Sequence, residues 1–258
     1  MNPRFEELEK ALKAYQQAEK CETWANPDLY FNFATALSFL EAYEKAIAYF
    51  TKAHDIDPTL ASIDLADSLR SSIVLTANYC AGKAKVRDYE KNGEKPKTFA
   101  AAVPHEPTEY AKQDIVPIMK AHHGKGFEPE KVRLVGFKGI PAEGAFHEIF
   151  AARILKHLPK EQISPVSFLV ADGEGNLGVI SLYNTSMKEV EKEMKFGAQV
   201  LIARPNKIEV MLTRDDKIYL YNVVRVTNLG LLFVDEKPLN DKMQTMRLET
   251  STFSGKKM

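Results

Sequence analysis

The sequence predicts a mixed α+β protein of two domains, in which a short array of antiparallel helices precedes a small closed β-barrel. Three observations lead to this fold class. Apolar residues recur at helical spacing through residues 5 to 80, the composition then becomes rich in lysine and proline, and short runs of β-branched and aromatic residues fill residues 131 to 239. With 258 residues, of which 45% are hydrophobic, the chain can form two domains with separate cores.

The charge balance and the cysteine usage narrow the class of protein. The 35 Lys and Arg residues equal the 35 Asp and Glu residues in number. This balance argues against a protein whose overall charge attracts nucleic acid or membrane. Cys21 and Cys80 lie in no metal or redox motif and are expected to be reduced thiols. The N-terminal stretch is amphipathic and has no apolar run long enough for export or membrane insertion. We expect a soluble protein of the cytoplasm and nucleus.

The stretch YEKAIAYFTKAHDIDP, residues 43 to 58, predicts a helix that another helix packs against closely. Ala46 and Ala53 lie on either side of Phe50 at helical spacing, and small side chains at such positions allow a close approach. Counting back from Pro58 gives a period of about 34 residues that begins at Pro27, which is the tetratricopeptide period. A generic helical hairpin is the alternative. The first helix of the unit would bury Tyr30, Phe33, Ala34 and Leu37.

The neighbouring segments extend this array on both sides. The stretch ALKAYQQAEK, residues 11 to 20, repeats the spacing of the second helix. Residues 59 to 82 carry an apolar stripe with polar residues opposite, which predicts a capping helix over the end of the array. We therefore assign residues 1 to 82 to tetratricopeptide hairpins with a C-terminal capping helix.

Residues 83 to 130 are expected to be a linker that is partly helical or disordered, because the segment mixes lysines, acids and prolines. The stretch DIVPIMKAHHGKG favours one short helix within it. The basic run at its start is either a solvated tether or a surface that contacts phosphate. His122 and His123 are adjacent, so on a helix their side chains point about 100° apart and are not expected to share a metal ion.

Residues 131 to 240 predict a β-barrel of the OB type, with a β-sandwich as the alternative. Three runs with strand character precede a short helix, and further strands follow it, which is the OB order. Ser186 and Glu189 have the spacing of a capping box at the start of that helix, and Val190 and Met194 are expected to face inward. The tail, residues 241 to 258, is expected to be disordered.

The repeat stretch NPDLYFNFATALSFLEAYEKAIAYFTKAHDIDP, together with VSFLVADGEGNLGVISLYN and YNVVRVTNLGLLFVDEKPL, resembles the tetratricopeptide repeat protein 5 (Strap) family. The likeness covers most of residues 5 to 80 and 145 to 240. It implies a repeat array joined to an OB fold, with the array shortened in this chain. It also implies an adaptor that acts as a stress-responsive transcription cofactor and reads nascent tubulin at the ribosome for tubulin mRNA decay.

The resemblance also implies where partners bind. A peptide-binding groove would use Asp28, Phe31, Asn32 and Thr35, and a ribosome or phosphate contact would use Lys83, Lys85 and Arg87. The family has a second acidic residue just after the closing proline of the repeat, where this sequence has Ser62, and an arginine in earlier repeats that has no counterpart here. Asp28 has an ordinary structural alternative, because an acidic residue near a helix start stabilises the helix.

Three classes of function were weighed. The preferred one is a non-catalytic scaffold whose groove holds a peptide and whose barrel holds a second partner, such as nascent tubulin, the ribosome or a transcription coactivator. The alternative is a nucleic-acid-binding protein that uses rings and basic residues of the barrel for RNA or single-stranded DNA. No catalytic triad, metal cluster or phosphate loop is found, so we expect no catalytic residues, no metal, no cofactor and no enzyme. We also expect a monomer with no membrane partner.

Overall fold

The structure is a computed structural model that describes residues 3–21, 25–85, 96–142, 144–158, 165–183 and 185–239. The described residues up to Ser72 form one compact unit, and those from Ile73 onward form a second. None of the described helices combines the length and the apolar character needed to cross a membrane. The order of helices followed by a strand-rich sheet confirms the predicted α+β class.

Four helices open the chain: α1 Pro3–Cys21, α2 Pro27–Phe39, α3 Tyr43–Ile56 and α4 Ser62–Cys80. The spacing of the small and aromatic residues explains how α2 and α3 pack. Ala34 on α2 and Ala46, Phe50 and Ala53 on α3 are fully buried, so the alanines lie where the two helices approach each other. The ring centroids of Phe33 and Tyr49 of α3 are 4.5 Å apart. The predicted repeat hairpin is therefore present.

On the other side of α2, the ring of Tyr15 from α1 stacks on Phe33 with the centroids 5.7 Å apart. α1 therefore occupies the position that the second helix of a preceding repeat would have. After α3, the stripe of α4 is buried as expected, with Ala66, Leu69 and Ile73 nearly inaccessible to solvent. The boundary between the two compact units falls within α4, between Ser72 and Ile73.

Within the described residues, the second unit contains three further α-helices and nine strands. The helices are α5 Pro96–Ala101, α6 Val116–His123 and α7 Met187–Val190, and a π-helical turn, Ala111–Ile115, leads into α6. The strands are β1 Arg133–Val135, β2 Glu148–His157, β3 Val166–Asp172, β4 Leu177–Leu182, β5 Gln199–Ala203, β6 Asn206–Arg214, β7 Lys217–Val226, β8 Leu232–Val234 and β9 Lys237–Pro238.

The strands form a barrel that is closed by one bent strand. The sheet order is β6-β7-β4-β3-β2-β5-β8-β9, in which β4 and β7 are parallel and the other pairs are antiparallel. Only Arg204 and Pro205 separate β5 from β6, so these two strands are halves of a single strand that pairs with β2 on one half and with β7 on the other. This closure, with α7 between β4 and β5, confirms the predicted OB order.

The corner between β5 and β6 contains one extra residue. Val200 and Ile202 of β5 point into the barrel core, whereas in β6 the inward position is Lys207, which pairs with the core residue Val224. Inward residues are thus even-numbered before the corner and odd-numbered after it. Arg204 takes a positive φ of 53° at this point, as residues in bulges often do.

Two apolar cores cover the two faces of the sheet. The barrel interior is filled by side chains from β2, β3, β4, β5, β7 and β8 and by Val190 and Met194, which face inward as predicted. The second core lies outside the barrel, where Ile115, Met119 and Phe127 pack on the outer faces of β2, β5 and β8. The guanidinium carbon of Arg153 on β2 lies 4.2 Å from the ring centroid of Phe99 on α5. Residues 96 to 131, within the segment expected to be a linker, thus form a layer on the sheet.

Candidate functional site

The first turn of α2 holds an exposed carboxylate beside a well-made helix cap. The Oδ1 atom of Asn26 accepts hydrogen bonds from the backbone N–H groups of Asp28, at 3.0 Å, and Leu29, at 3.2 Å. Pro27 follows as the first helical residue, where its fixed φ favours the helix and its missing N–H costs nothing. The Asp28 side chain is exposed and takes no part in the cap. Its negative charge is favourable at this end of the helix dipole.

The four groove residues named from the resemblance follow one another on one face of α2. Asp28, Phe31, Asn32 and Thr35 are spaced at i, i+3, i+4 and i+7, which aligns them along the helix. Asp28 is exposed, Phe31 and Asn32 are half-buried and Thr35 is buried, with 8% of its surface exposed. Among the described residues, neither the Asp28 carboxylate nor the Asn32 amide has a hydrogen-bond or ion-pair partner.

The two other members of this face are held by contacts inside the hairpin. The Phe31 ring lies edge-on to Phe50 of α3 with the centroids 5.5 Å apart. The Thr35 hydroxyl donates to the Phe31 carbonyl at 2.9 Å, which satisfies the hydroxyl within the helix. Phe31 and Thr35 therefore shape the face. Asp28 and Asn32 are the residues of the face whose polar groups could still bind a ligand.

A charged cluster fixes the helices next to this face. The Tyr49 hydroxyl of α3 donates to Glu19 Oε2 of α1 at 2.7 Å, and the Lys52 ammonium lies 3.1 Å from Glu19 Oε1 and 3.8 Å from the ring centroid of Tyr30 on α2. The hydrogen bond from Tyr49 is the largest influence that lowers the pKa of Glu19. This cluster was not predicted. Its only signal in the sequence is that Glu19 and Lys52 lie 33 residues apart, close to one repeat period.

Two of the three predicted basic contacts lie just beyond α4. Gly82 ends the helix with a φ of 67°, and the N–H of Lys83 donates to the Asn78 carbonyl at 2.8 Å. This is the hydrogen bond of a Schellman-type end, so the backbone of Lys83 is fixed by the helix. The side chains of Lys83 and Lys85 are exposed. Arg87 lies outside the described residues.

Comparison with known proteins agrees with this arrangement. Residues 138–247 match the family model of the tetratricopeptide repeat protein 5 OB fold domain. Tetratricopeptide repeat protein 5 of Homo sapiens is 25% identical over 262 residues, which cover 95% of this chain and 53% of the human protein. The protein of the same name from Bos taurus is 25% identical over 247 residues, which cover 94% of this chain and 52% of the bovine one. These matches support a tetratricopeptide repeat protein 5-like assignment of the chain.

The resemblance found in the sequence is thereby confirmed at the level of the family and the fold. The chain spans about half the length of the curated relatives it matches. The family match covers the barrel, while the alignments to the human and bovine proteins also include the helices that carry Asp28 and Asn32.

Ser62 is the position that follows Asp28 by one repeat period. It opens α4 and is fully buried, and its Oγ has no hydrogen-bond partner among the described atoms. A carboxylate at this position would be buried without a cation to pair with, which is costly. The predicted groove would therefore have one carboxylate at this pair of positions, that of Asp28.

The aromatic residues of the barrel considered for nucleic-acid binding are mostly inaccessible. Phe168, Tyr183 and Phe233 are almost completely buried, Tyr221 is 8% exposed and only Tyr219 is half-buried. A ring must present a face to solvent before a base can stack on it. Of the basic residues on β6, Lys207 donates to the Phe137 carbonyl at 2.8 Å and Arg214 lies 3.4 Å from Asp215 Oδ2.

Within the described ranges, no three His, Cys, Asp or Glu side chains come together as metal ligands would. The His123 ring packs instead between Phe127, with centroids 5.8 Å apart, and Phe146, with centroids 5.1 Å apart.

Proposed function

We propose that this chain is a non-catalytic adaptor in which the α2 face binds a short peptide and the barrel binds a second partner. The observation that carries the proposal is the pair formed by the Asp28 carboxylate and the Asn32 amide. Both are accessible, both lack a partner among the described residues, and they lie one helical turn apart on α2. Polar groups held in place on a rigid element are typical of a binding surface.

The chemistry of the pair defines the peptide. An exposed carboxylate at a helix start attracts a cation, so the ligand would place an amino terminus, a lysine or an arginine at Asp28. The Asn32 amide can both donate to and accept from a peptide backbone. The half-buried Phe31 ring beside them offers an apolar contact. This chemistry suits the amino-terminal residues of nascent tubulin, the ligand implied by the family resemblance.

The exposed Lys83 and Lys85 support a second part of the proposal, a contact with ribosomal phosphate. Transcription coactivators are the other partners that the resemblance implies, and they would use the same peptide-binding face. In both cases the adaptor would act in the cytoplasm or nucleus by holding two macromolecules together.

The peptide site is tested with two variants and one matched control. Binding of a labelled amino-terminal tubulin peptide is measured by fluorescence anisotropy for the wild type, Asp28→Asn and Asn32→Ala. We expect Asp28→Asn to weaken binding about tenfold or more, because a charge-assisted hydrogen bond is lost. Asp55→Asn removes the same charge from an exposed position on α3 and should leave binding unchanged.

Circular dichroism of every variant verifies that the helices are intact. Equal affinity for wild type and Asp28→Asn would exclude the α2 face as the site. The nucleic-acid-binding alternative predicts instead that the chain binds a labelled single-stranded RNA with an affinity that falls steeply and linearly in log[salt].

A further inference from the structure

The loop between α6 and β1 contacts the residue just before β2, His147. We call residues 124 to 132 the α6–β1 loop. Gly124 and Gly126 form its tip with φ angles of 78° and 93°, and a Cβ placed on either glycine would meet no atom within 4 Å. The tip is therefore loosely packed. The two residues that follow the tip both contact the imidazole of His147, a side chain that the peptide proposal does not use.

One hydrogen bond and one ring contact join the loop to this imidazole. The backbone N–H of Glu128 donates to His147 Nε2 at 3.2 Å. The Phe127 ring lies almost parallel to the His147 ring, with the centroids 5.1 Å apart and the planes inclined by 12°. Phe127 is only 8% exposed and belongs to the second core, outside the barrel. His147 therefore holds the loop at the point where the loop covers the sheet.

The hydrogen bond determines the protonation state of His147. Because a backbone N–H can only donate, Nε2 must accept and carries no proton, so the proton of the neutral ring is on Nδ1. A proton added to Nε2 would turn this atom into a donor that faces a second donor. Histidine is the side chain that ordinarily changes charge between about pH 5 and pH 8. The contact with the Glu128 main chain therefore exists only in the neutral form.

Two carboxylates and two cations surround the imidazole. Glu148 Oε2 accepts from the backbone N–H of His147 at 3.2 Å, and Glu148 Oε1 is paired with Arg133 at 2.9 Å. The Glu128 carboxylate is paired with Lys131 at 2.6 Å, and the hydrogen bond from Lys131 is the largest influence that lowers the pKa of Glu128. Both carboxylates attract an imidazolium. Neither returns an acceptor to the backbone N–H that loses Nε2.

A second titratable ring lies beside the first. The centroid of His123 is 6.0 Å from that of His147, and the His123 ring also packs on Phe127 and Phe146. The guanidinium carbon of Arg204 lies 5.8 Å from the ring centroid of Phe146. Two charged imidazoles at this distance would repel each other. A test of His147 must therefore be made alongside a variant of His123.

We propose that His147 is a pH-sensitive switch that controls the α6–β1 loop. The neutral imidazole holds the loop on the outer face of the sheet. Protonation releases the Glu128 main chain, and the loop swings away with its glycine tip. Phe127 also leaves the imidazole, because a charged ring gains hydration when its covered face is opened. Acidification thereby uncovers part of the second core, which the ring of Phe127 completes at neutral pH.

The first experiment measures amide hydrogen exchange of the full chain at about pH 7.5 and about pH 5.5, on either side of the range in which histidine titrates. Each rate is divided by that of an unstructured peptide at the same pH. Protection of the Glu128 amide should fall about tenfold or more at the lower pH, since its hydrogen bond is lost. Amides of β3 should keep their protection, which verifies that the barrel is folded. Equal protection of the Glu128 amide at both pH values would overturn the proposal.

Glutamine variants assign the effect to one ring. Glutamine does not titrate, so His147→Gln should abolish the pH dependence of the Glu128 amide. His122→Gln is the matched control, because His122 is an exposed residue in the last turn of α6, and it should keep the wild-type fall in protection. His123→Gln should keep this fall as well. A fall that persists in His147→Gln and disappears in His123→Gln would overturn the assignment to His147.

Binding of a hydrophobic dye tests whether the second core is uncovered. The wild type should bind more dye at about pH 5.5 than at about pH 7.5, reversibly and with an unchanged circular dichroism spectrum. Phe127→Ala should bind dye at both pH values, because the ring that covers this core is missing. Equal dye binding by the wild type at both pH values would show that Phe127 stays in place and would overturn the release. None of these measurements depends on Asp28, so the switch and the peptide site can fail independently.

Discussion

A tyrosine hydroxyl on α3 joins the helix before the repeat hairpin to the hairpin itself. Tyr49 donates to Glu19, and Lys52 contacts both Glu19 and the Tyr30 ring, so a single cluster joins α1, α2 and α3. Burial and the hydrogen bond to Glu19 raise the pKa of Tyr49 from about 10 to about 12. The folded chain therefore keeps a phenol proton at alkaline pH values at which the unfolded chain loses it.

This difference in the pKa of Tyr49 between the folded and unfolded states predicts that the chain loses stability at alkaline pH. As the pH rises from about 10 to about 12, the unfolded state ionises first and the free energy of unfolding falls. Tyr49→Phe should cost about 1 kcal/mol near neutral pH, since the partly exposed hydrogen bond to a charged group is lost, and should flatten the decline above pH 10. Chemical denaturation across this pH range measures both effects.

Tyr219→Phe is the control for this measurement. Its hydroxyl makes no hydrogen bond to a described residue, so the substitution should preserve the wild-type pH profile. A Tyr49→Phe profile parallel to that of the wild type would contradict the assigned role of Tyr49.

Residue spacing also determined how much of the candidate site could be predicted. Helical periodicity places Asp28, Phe31, Asn32 and Thr35 on one face of α2 without any structure. It does not predict their exposure, because that depends on contacts made by another helix. Phe50 of α3 packs against Phe31, and Thr35 is buried with its hydroxyl bonded to the Phe31 carbonyl.

At the scale of elements, the C-terminal end of α4 depends on one glycine. Gly82 has a φ of 67°, and a Cβ placed on it would meet no atom within 4 Å. A substitution there therefore tests backbone strain without a steric clash. The same turn holds the N–H of Lys83 to the Asn78 carbonyl, so the glycine positions the start of the basic segment.

Gly82→Ala should lower the free energy of unfolding by about 1 kcal/mol, since an L-residue is strained at positive φ. Gly82→Asn should cost less, because asparagine tolerates this conformation best among the other residues. Urea denaturation of the three proteins measures the order of stability. An alanine variant as stable as the wild type would show that the helix end relaxes into another conformation.

The strands were easier to predict than the layer that covers them. Strand residues alternate or form short apolar runs, and the turn at Asp215–Asp216 separates β6 from β7. The packing of residues 96 to 131 on the sheet was not predicted, because prolines there indicated a connection. Pro117 instead lies in the first turn of α6, where proline is favourable. The partners of Ile115 and Met119 are strands far along the chain, which local patterns do not reveal.

For the whole molecule, this outer layer determines where the barrel domain can be cut. The predicted boundary at residue 131 remains a prediction. A fragment of residues 131–258 would lack Ile115, Met119 and Phe127 and would expose the sheet positions Ile149 and Leu201 that they cover. A fragment of residues 73–258 would keep them.

We expect the longer fragment to unfold cooperatively and the shorter one to bind a hydrophobic dye and aggregate, because a large apolar area is uncovered. Dye fluorescence and light scattering during thermal unfolding compare the two. Similar melting behaviour and no dye binding by the shorter fragment would show that the barrel is stable without its helical layer and would support a boundary at 131.

Insertions and deletions should be tolerated very differently at two sites only ten residues apart. Added residues at the tip, between Arg214 and Lys217, would lengthen a loop and leave both strands in register. Removing one residue between Ala203 and Asn206 would exchange the inward and outward sides of either β5 or β6. Val200 and Ile202 would then leave the barrel interior, or the buried Val210 and Leu212 would change sides. The number of residues at this corner therefore matters more to the barrel than their identity.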